Sequence, residues 1–283
     1  MLFRSVCLQR LEETTDVDPT LLDDLPTSAR RQIDRVRAWV DTADSGDLAE
    51  FPDRLDSAVA ASITVTSDEC PGARRCPVGE KCFAERARAR AAEADIVIVN
   101  THLYGLDIAS DGALLPPHDL VVVDEVHGLE DIISDCVGLE FSSGRLRWLA
   151  GIVSRVIAEN GLVDRITNLG PRLDDVLSPD LGRRMPVPLP AEVTAVVSAA
   201  RLVLVDVLEA LRKVSTSDED ADQRRLRAQQ AAGRLAEALD AMLVLDSSWV
   251  PFVAGTAATP RLEIAPLDVA PVLSRSEIGR AHV

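Results

Sequence analysis

Aromatic side chains are scarce in this sequence: three Trp, one Tyr and five Phe in 283 residues. Any core must therefore be aliphatic and alanine-rich, and a hydrophobic content of 47% is enough to build one. Lysine is scarcer still, with Lys81 and Lys213 against 28 arginines. Together with abundant Ala, Asp and Val, that bias points to a GC-rich coding genome, not to a function. No run of about eighteen apolar residues occurs, which excludes a hydrophobic membrane-spanning helix. The first residues, Met-Leu-Phe-Arg-Ser-Val-Cys, lack the apolar core and cleavage site of a signal peptide, so a cytoplasmic location and no membrane partner are expected. A net charge of −16 argues against a general basic coat for nucleic acid, though not against a local basic patch. No Gly-x-x-x-x-Gly-Lys-Ser/Thr occurs anywhere, so the sequence holds no P-loop to cradle phosphates.

What is present gathers around two stretches. The first is Leu120-Val-Val-Val-Asp-Glu-Val-His-Gly-Leu-Glu130. Four apolar residues running into Asp124 and Glu125 predict a buried parallel strand that delivers two carboxylates to its C-terminal edge, where open α/β sheets bind ligands. Such a pair suits Mg²⁺ and a nucleotide: one carboxylate holds the ion through water, and the next orients the attacking water. The plainer alternative is a strand end followed by a solvated turn.

The second stretch is Asp68-Glu-Cys-Pro-Gly-Ala-Arg-Arg-Cys-Pro-Val-Gly-Glu-Lys-Cys-Phe83. Cys70, Cys76 and Cys82 are separated by five residues each time, and Gly72 and Gly79 supply turns. In a reducing compartment these cysteines are better explained by metal ligation than by disulfides. Zinc and iron–sulfur sites usually take four ligands. Cys7, just before a Leu-Gln-Arg-Leu helix start, is the candidate for the fourth; Cys136 is read as a small core residue. Zinc sites favour pairs two to four residues apart, and no such pair occurs, which tilts the reading towards iron–sulfur without settling it. Arg74, Arg75, Lys81, Arg86, Arg88 and Arg90 lie within seventeen residues and form a possible contact to a phosphate backbone. Glu80, Glu85 and Glu93 are interleaved, so an ordinary charged helix face fits as well.

Around these stretches the pattern predicts a helix over 28–42 with Ile33, Val36, Trp39 and Val40 on one face. A short helix and an extended piece follow over 55–65, then a helix over 83–94 and a buried strand over 95–100. Together with 120–124, that strand would form part of an α/β sheet. Helices are predicted over 143–159, 191–214 and 223–245, with a loop over 160–190. Short extended pieces at 249–253 and 262–264 would return to the sheet.

Together these pieces resemble one family, the iron–sulfur DNA helicases of superfamily 2, the XPD and DinG group, and most of all its DinG-like bacterial members. The residues that carry the resemblance are Cys7-Leu-Gln-Arg-Leu-Glu-Glu, Cys70-Pro-Gly-Ala-Arg-Arg-Cys-Pro-Val-Gly-Glu-Lys-Cys-Phe-Ala-Glu, Ala94-Asp-Ile-Val-Ile-Val-Asn-Thr-His-Leu and Val121-Val-Val-Asp-Glu-Val-His, in that order. It is clear over about 70–131, with Cys7 as an outlier; to about 245 it holds in position more than in sequence. The resemblance implies an α/β fold: an incomplete RecA-like motor domain carrying an iron–sulfur cluster insertion and a helical arch insertion. It implies a 4Fe–4S cluster on Cys7, Cys70, Cys76 and Cys82. It makes Asp124-Glu-Val-His127 a Walker B element of the DEAH-box kind. Asp124 then contacts Mg²⁺, Glu125 activates the water that hydrolyses ATP, and His127 couples nucleotide state to DNA. Asn100 and His102 fall in a motif near the DNA path. The family usually has Ala where this chain has Val126, a departure that leaves the polar residues intact.

The domains so implied are 1–94 for the cluster region, 95–142 for core strands with Walker B, 143–246 for the arch-like insertion and 247–277 for a return to the motor domain. With no P-loop and no second motor domain, the sequence looks like the middle of an ATP-dependent helicase that acts on single-stranded or forked DNA, with repair as its setting. Two readings compete with it: a stand-alone metal-binding DNA-interaction module without a motor, and a zinc site in a regulatory protein. The last residues, Ile278-Gly-Arg-Ala-His-Val283, match one reading frame of a common sequencing adapter, so the natural coding sequence is expected to end near Glu277. An intact gene that still encodes these six residues would remove that expectation.

Overall fold

The computed structural model describes residues 5–16, 27–65, 70, 72–157, 160–215 and 219–276. The adapter-like tail lies outside them. The chain divides into two units, residues 1–98 and 99–283. Among the described residues, no helix is long and apolar enough to cross a membrane.

The first unit holds α1 (Leu8–Asp16), α2 (Thr27–Val40), α3 (Ser57–Ile63) and α4 (Phe83–Ala92). Ile33 and Val36 on α2 are buried as the helical spacing predicts, and they share a small core with Val6, Leu11, Phe51 and Ile63. Trp39 and Val40 pack on its margin, Trp39 meeting Phe51 edge-on with ring centroids 5.4 Å apart.

The second unit continues with α5 (Thr101–Ala109), α6 (Leu129–Val137), β1 (Leu139–Ser142), α7 (Ser143–Val153) and α8 (Asn160–Leu177). After these come α9 (Ala191–Lys213), α10 (Glu219–Leu243), β2 (Trp249–Thr256), β3 (Thr259–Pro266) and α11 (Ala270–Ser276). The strands form one antiparallel sheet in the order β1-β3-β2. Period-two alternation turns Leu262 and Ile264 inward on β3, opposite Phe141 and Leu139 of β1. These side chains and Val253 close one end of an aliphatic core whose bulk comes from α7 to α10. The chain between α8 and α9 runs beside β2 and covers its outer edge: Gly182 and Met185 donate backbone N–H bonds to the carbonyls of Val253 and Pro251, both at 2.8 Å.

The protein is thus a mixed helix-and-strand chain, but several elements differ from the sequence pattern. The stretches 95–100 and 120–124 are not strands. Over 120–123 the apolar side chains alternate: Val121 and Val123 pack on a small core with Tyr104, Ile108, Leu129 and Ile133, while Leu120 and Val122 are 78 and 86% exposed. Over 95–100 only Val99 packs on that core, and Ile96, Val97 and Ile98 are all exposed. The segments are extended, but among the described residues no neighbouring strand hydrogen-bonds to them, and an extended segment without a ladder is not a strand.

The second difference is α8, which occupies 160–177 where a loop was predicted. Gly170 and Pro171 obscured a helical spacing of Ile166, Leu169, Leu173 and Leu177, all of them buried. Gly170 lies where α8 comes closest to α7, so that a Cβ there would meet Ser143 Cβ at 3.3 Å. Pieces 249–253 and 262–264 do extend into strands, but they build the sheet that closes the helical core. Leu239 on α10 is wholly buried in that core. Its replacement by Ala is predicted to cost about 2–5 kcal/mol, read as a lower denaturant midpoint with the helical signal of the folded state unchanged.

Candidate functional site

The four cysteines proposed as ligands all lie in the first unit, and their surroundings are built from backbone contacts. Val6 donates its N–H to the carbonyl of Gly46 at 3.0 Å, and Cys7 donates to the carbonyl of Ile63 at 2.8 Å. The Cys7 segment is therefore held between the turn at Gly46 and the end of α3. Cys7 begins α1: its carbonyl accepts the Leu11 N–H at 2.9 Å, and its sulfur accepts a backbone N–H from Arg10.

Cys76 and Cys82 each follow directly on a tight turn, Ala73–Arg75 and Gly79–Lys81, and Cys70 lies ahead of the first. Gly79 donates to the carbonyl of Cys76 at 2.9 Å, and Cys82 donates to the carbonyl of Gly79 at 3.2 Å. Gly79 is required here by close approach, because a Cβ on it would overlap the Ala73 carbonyl. Cys82 is the residue from which α4 starts. Its neighbour Phe83 is buried against Gly46, which has φ +64°; a Cβ at Gly46 would fall within the Phe83 ring. One glycine turn thus supports both the Cys7 segment and the residue after Cys82.

All five cysteines are free and partly exposed. Burial pushes the Cys7 thiol up to about 11; the Arg10 backbone N–H opposes this, and the nearby Cys76 and Cys70 add to it. The Cys7 sulfur is thus near enough to Cys76 and Cys70 to sense their charge. Among the described residues, no three Cys, His, Asp or Glu side chains stand at metal-ligating distances. The character of the donor set still fits a thiolate-bound metal group. Cys7 and Cys82 stand at helix starts, and four cysteines on one unit are the donor type that thiolate-bound metal groups take. Gln9, 4% exposed, lies against the group: its Oε1 accepts from Cys76 Sγ at 3.4 Å, and its Nε2 is buried without a hydrogen-bond partner.

Cys136 belongs to the other unit. Its Sγ packs on Gly105 of α5 and donates to the carbonyl of His102 at 3.7 Å. Cys136 thus packs between α5 and α6, but it is half-buried and not the core residue the sequence pattern suggested.

Of the basic residues singled out, Arg74, Arg75, Lys81 and Arg86 are all exposed. The Arg86 guanidinium lies over the Phe83 ring, 5.6 Å from its centroid. Arg88 pairs with Glu85 one turn away, which accounts for part of the interleaved acidic charge.

The carboxylate turn lies in the second unit. Asp124 and Glu125 end the extended 120–123 segment, and Val126–Gly128 forms a single 3₁₀ turn that leads into α6. Glu125 has φ +51°, a left-handed conformation uncommon for a non-glycine residue, and its N–H donates to Asp124 Oδ1 at 2.9 Å. The Glu125 carboxylate lies 3.2 Å from His127 Nδ1, and both side chains are highly exposed. All three polar groups of the motif therefore face solvent on one turn. Asn100 caps α5, its Oδ1 accepting the Leu103 N–H at 2.7 Å, and His102 is exposed on the first turn of that helix.

Sequence reasoning passed over Gln9 and Asp107. Asp107 is buried, and its Oδ1 accepts the N–H groups of Leu114 at 2.7 Å and Leu115 at 2.8 Å. It fastens the loop that leads from α5 towards the carboxylate segment. An acidic residue between Leu106 and Ile108 in an otherwise apolar helix was the available signal.

No protein-family model matches the chain. Curated relatives do. The ATP-dependent helicase DinG of Mycobacterium tuberculosis is 36% identical over 131 residues, 46% of this chain and 20% of that protein. The curated homologues found for this chain are DinG and YoaA ATP-dependent helicases. Among them, the ATP-dependent DNA helicase YoaA of Escherichia coli is 34% identical over 150 residues, 51% of this chain and 23% of YoaA. The Haemophilus influenzae YoaA is 32% identical over 146 residues, 50% of this chain and 22% of its own length. The chain spans about a fifth of the length of these DinG and YoaA relatives.

The shared support at Gly46 makes a prediction. Gly46→Ala meets both a positive φ and the Phe83 ring, so it is expected to destabilise the first unit by more than about 1 kcal/mol. Limited proteolysis of residues 5–92 should accelerate while the 139–266 region keeps its resistance. Equal resistance of both regions would refute the role given to this turn.

Proposed function

We propose that this chain is a segment of an ATP-dependent, iron–sulfur DNA helicase of the DinG kind. The observation that carries the reading is that the relatives are helicases and that the chain keeps, in helicase order, four cysteines and an Asp-Glu-x-His turn. The bare apolar faces of the extended segments support it. Leu120 and Val122 have the alternation of a sheet strand and face solvent, and Ile96, Val97 and Ile98 are exposed as well. In a complete motor domain, neighbouring strands would pair with these segments and cover those side chains.

Within that protein, Cys7, Cys70, Cys76 and Cys82 would hold a 4Fe–4S cluster, which when bound ties α1, the two tight turns and α4 into one rigid body. Asp124 would bind Mg²⁺ through water. Glu125 would orient the water that attacks the γ-phosphate, and the left-handed backbone at Glu125 holds its carboxylate clear of the apolar segment before it. His127, paired with Glu125, would relay nucleotide state. Arg74, Arg75, Lys81 and Arg86, with Asn100 and His102, are the candidates for DNA contact, and phosphate contacts by the arginines would make binding fall with salt. The full protein would couple hydrolysis to movement on single-stranded DNA and to duplex separation, in repair. Residues 139–266 would form the arch-like part together with its closing sheet.

Two outcomes are predicted for the purified 283-residue chain. With no P-loop in the sequence, Glu125 has no bound phosphate to act on, so DNA-stimulated ATP hydrolysis will be absent. Anaerobically purified protein will be brown, with absorbance near about 400 nm from thiolate-ligated iron. Cys7→Ser will lose that colour and Cys136→Ser will keep it. Measurable hydrolysis would refute the predicted inactivity of this chain, and a colourless protein holding zinc would favour the zinc alternative.

A further inference from the structure

Gln9 is the polar group in the first unit that the ligand assignment leaves unexplained. It stands two residues after Cys7 on the first turn of α1, and it is 4% exposed. Its Oε1 lies 3.4 Å from Cys76 Sγ, and its Nε2 has no partner. A buried amide N–H without an acceptor costs about 1–3 kcal/mol, so a side chain retained in that setting calls for an acceptor that the thiol form does not supply.

The chemistry of Cys76 supplies one. As a thiol, Cys76 donates S–H, and the carboxamide answers with its oxygen. A metal-bound cysteine is a thiolate and can only accept. With Cys76 in that form, the favoured orientation reverses: a half-turn of the carboxamide places Nε2 where Oε1 now lies, at hydrogen-bond distance from the sulfur. The carbonyl left behind is easier to leave unpaired than an N–H. The orphaned donor and the sulfur contact are thus two sides of one device.

We infer that Gln9 donates an N–H···S hydrogen bond to the Cys76 thiolate in the loaded centre and thereby raises the reduction potential of the bound cluster. The inference rests on the iron–sulfur reading above. Its physical basis is general: a donor on a ligating sulfur withdraws charge and favours the reduced, more negative state, and hydrogen bonds to the sulfurs are among the factors that set cluster potentials. Gln9 is a positioning and tuning residue, not a ligand, since a carboxamide adds no thiolate.

The test begins with iron and sulfide content, measured in the full chain and in Gln9→Leu and Gln9→Glu before any potential is read. The first variant removes the donor; the second keeps its size and, when ionised, offers only acceptors. Both are expected to load the cluster and to favour reduction about tenfold less, a fall of about 59 mV for a one-electron couple. In the unsubstituted chain carrying side-chain ¹⁵N-labelled glutamine, pulsed EPR of the dithionite-reduced cluster should detect a ¹⁵N coupling, and Gln9→Leu should abolish it. The labelled chain decides the matter even where a variant fails to fold. Absence of that coupling, or a fully loaded Gln9→Leu protein with an unchanged potential, overturns the inference and leaves the iron–sulfur reading standing. An unsubstituted chain that holds no iron and sulfide overturns both.

Discussion

The arrangement of the cysteines depends on two backbone hydrogen bonds, from Val6 to Gly46 and from Cys7 to Ile63. Cys7 precedes the next candidate ligand by 63 residues. Bringing such distant residues together costs loop-closure entropy, although that cost grows only slowly with length. The aliphatic core under α1, α2 and α3 offsets it, and the two hydrogen bonds set where the Cys7 segment enters. The Gly46 turn then does a second job by receiving Phe83, so the residue beside Cys82 is referenced to the same support. The burial that this packing imposes also raises the Cys7 thiol to about 11, so a metal must displace a proton that would otherwise stay bound.

The carboxylate turn is organised in the opposite way. Asp124, Glu125 and His127 are solvent-facing, and they follow a segment with one packed side and one bare side. The helices beneath it, α5 and α6, are well ordered by Asn100, by the buried Asp107 and by the close fit of Cys136 on Gly105. What the segment lacks is a laterally paired strand. The same residues that read as a buried strand therefore form an extended edge, and its apolar outer side chains become the feature that the helicase reading best explains.

Much of this was legible beforehand. The spacing of Ile33 and Val36 predicted α2, the Ala- and Arg-rich run predicted α4, and the long apolar pattern predicted α9. Each of these elements is decided by its own residues and the core they face. The strands at 95–100 and 120–124 were misjudged because a strand is a property of a pair, and sequence reports only one partner. α8 was missed because Gly170 and Pro171 carry strong local signals against helix, whereas the burial of Ile166, Leu169, Leu173 and Leu177 against neighbouring helices outweighs them. Cys70, Cys76 and Cys82 could be grouped from the turn chemistry, and the family pattern added Cys7. Gln9 could not, because nothing in its local sequence says that its amide is buried beside a sulfur.

The central claim is that four thiolates of the first unit hold an iron–sulfur cluster. The direct measurement is the metal and acid-labile sulfide content of the chain purified without oxygen. The account predicts about four iron and four sulfide per chain. One zinc and no sulfide, or no bound metal at all, would contradict it.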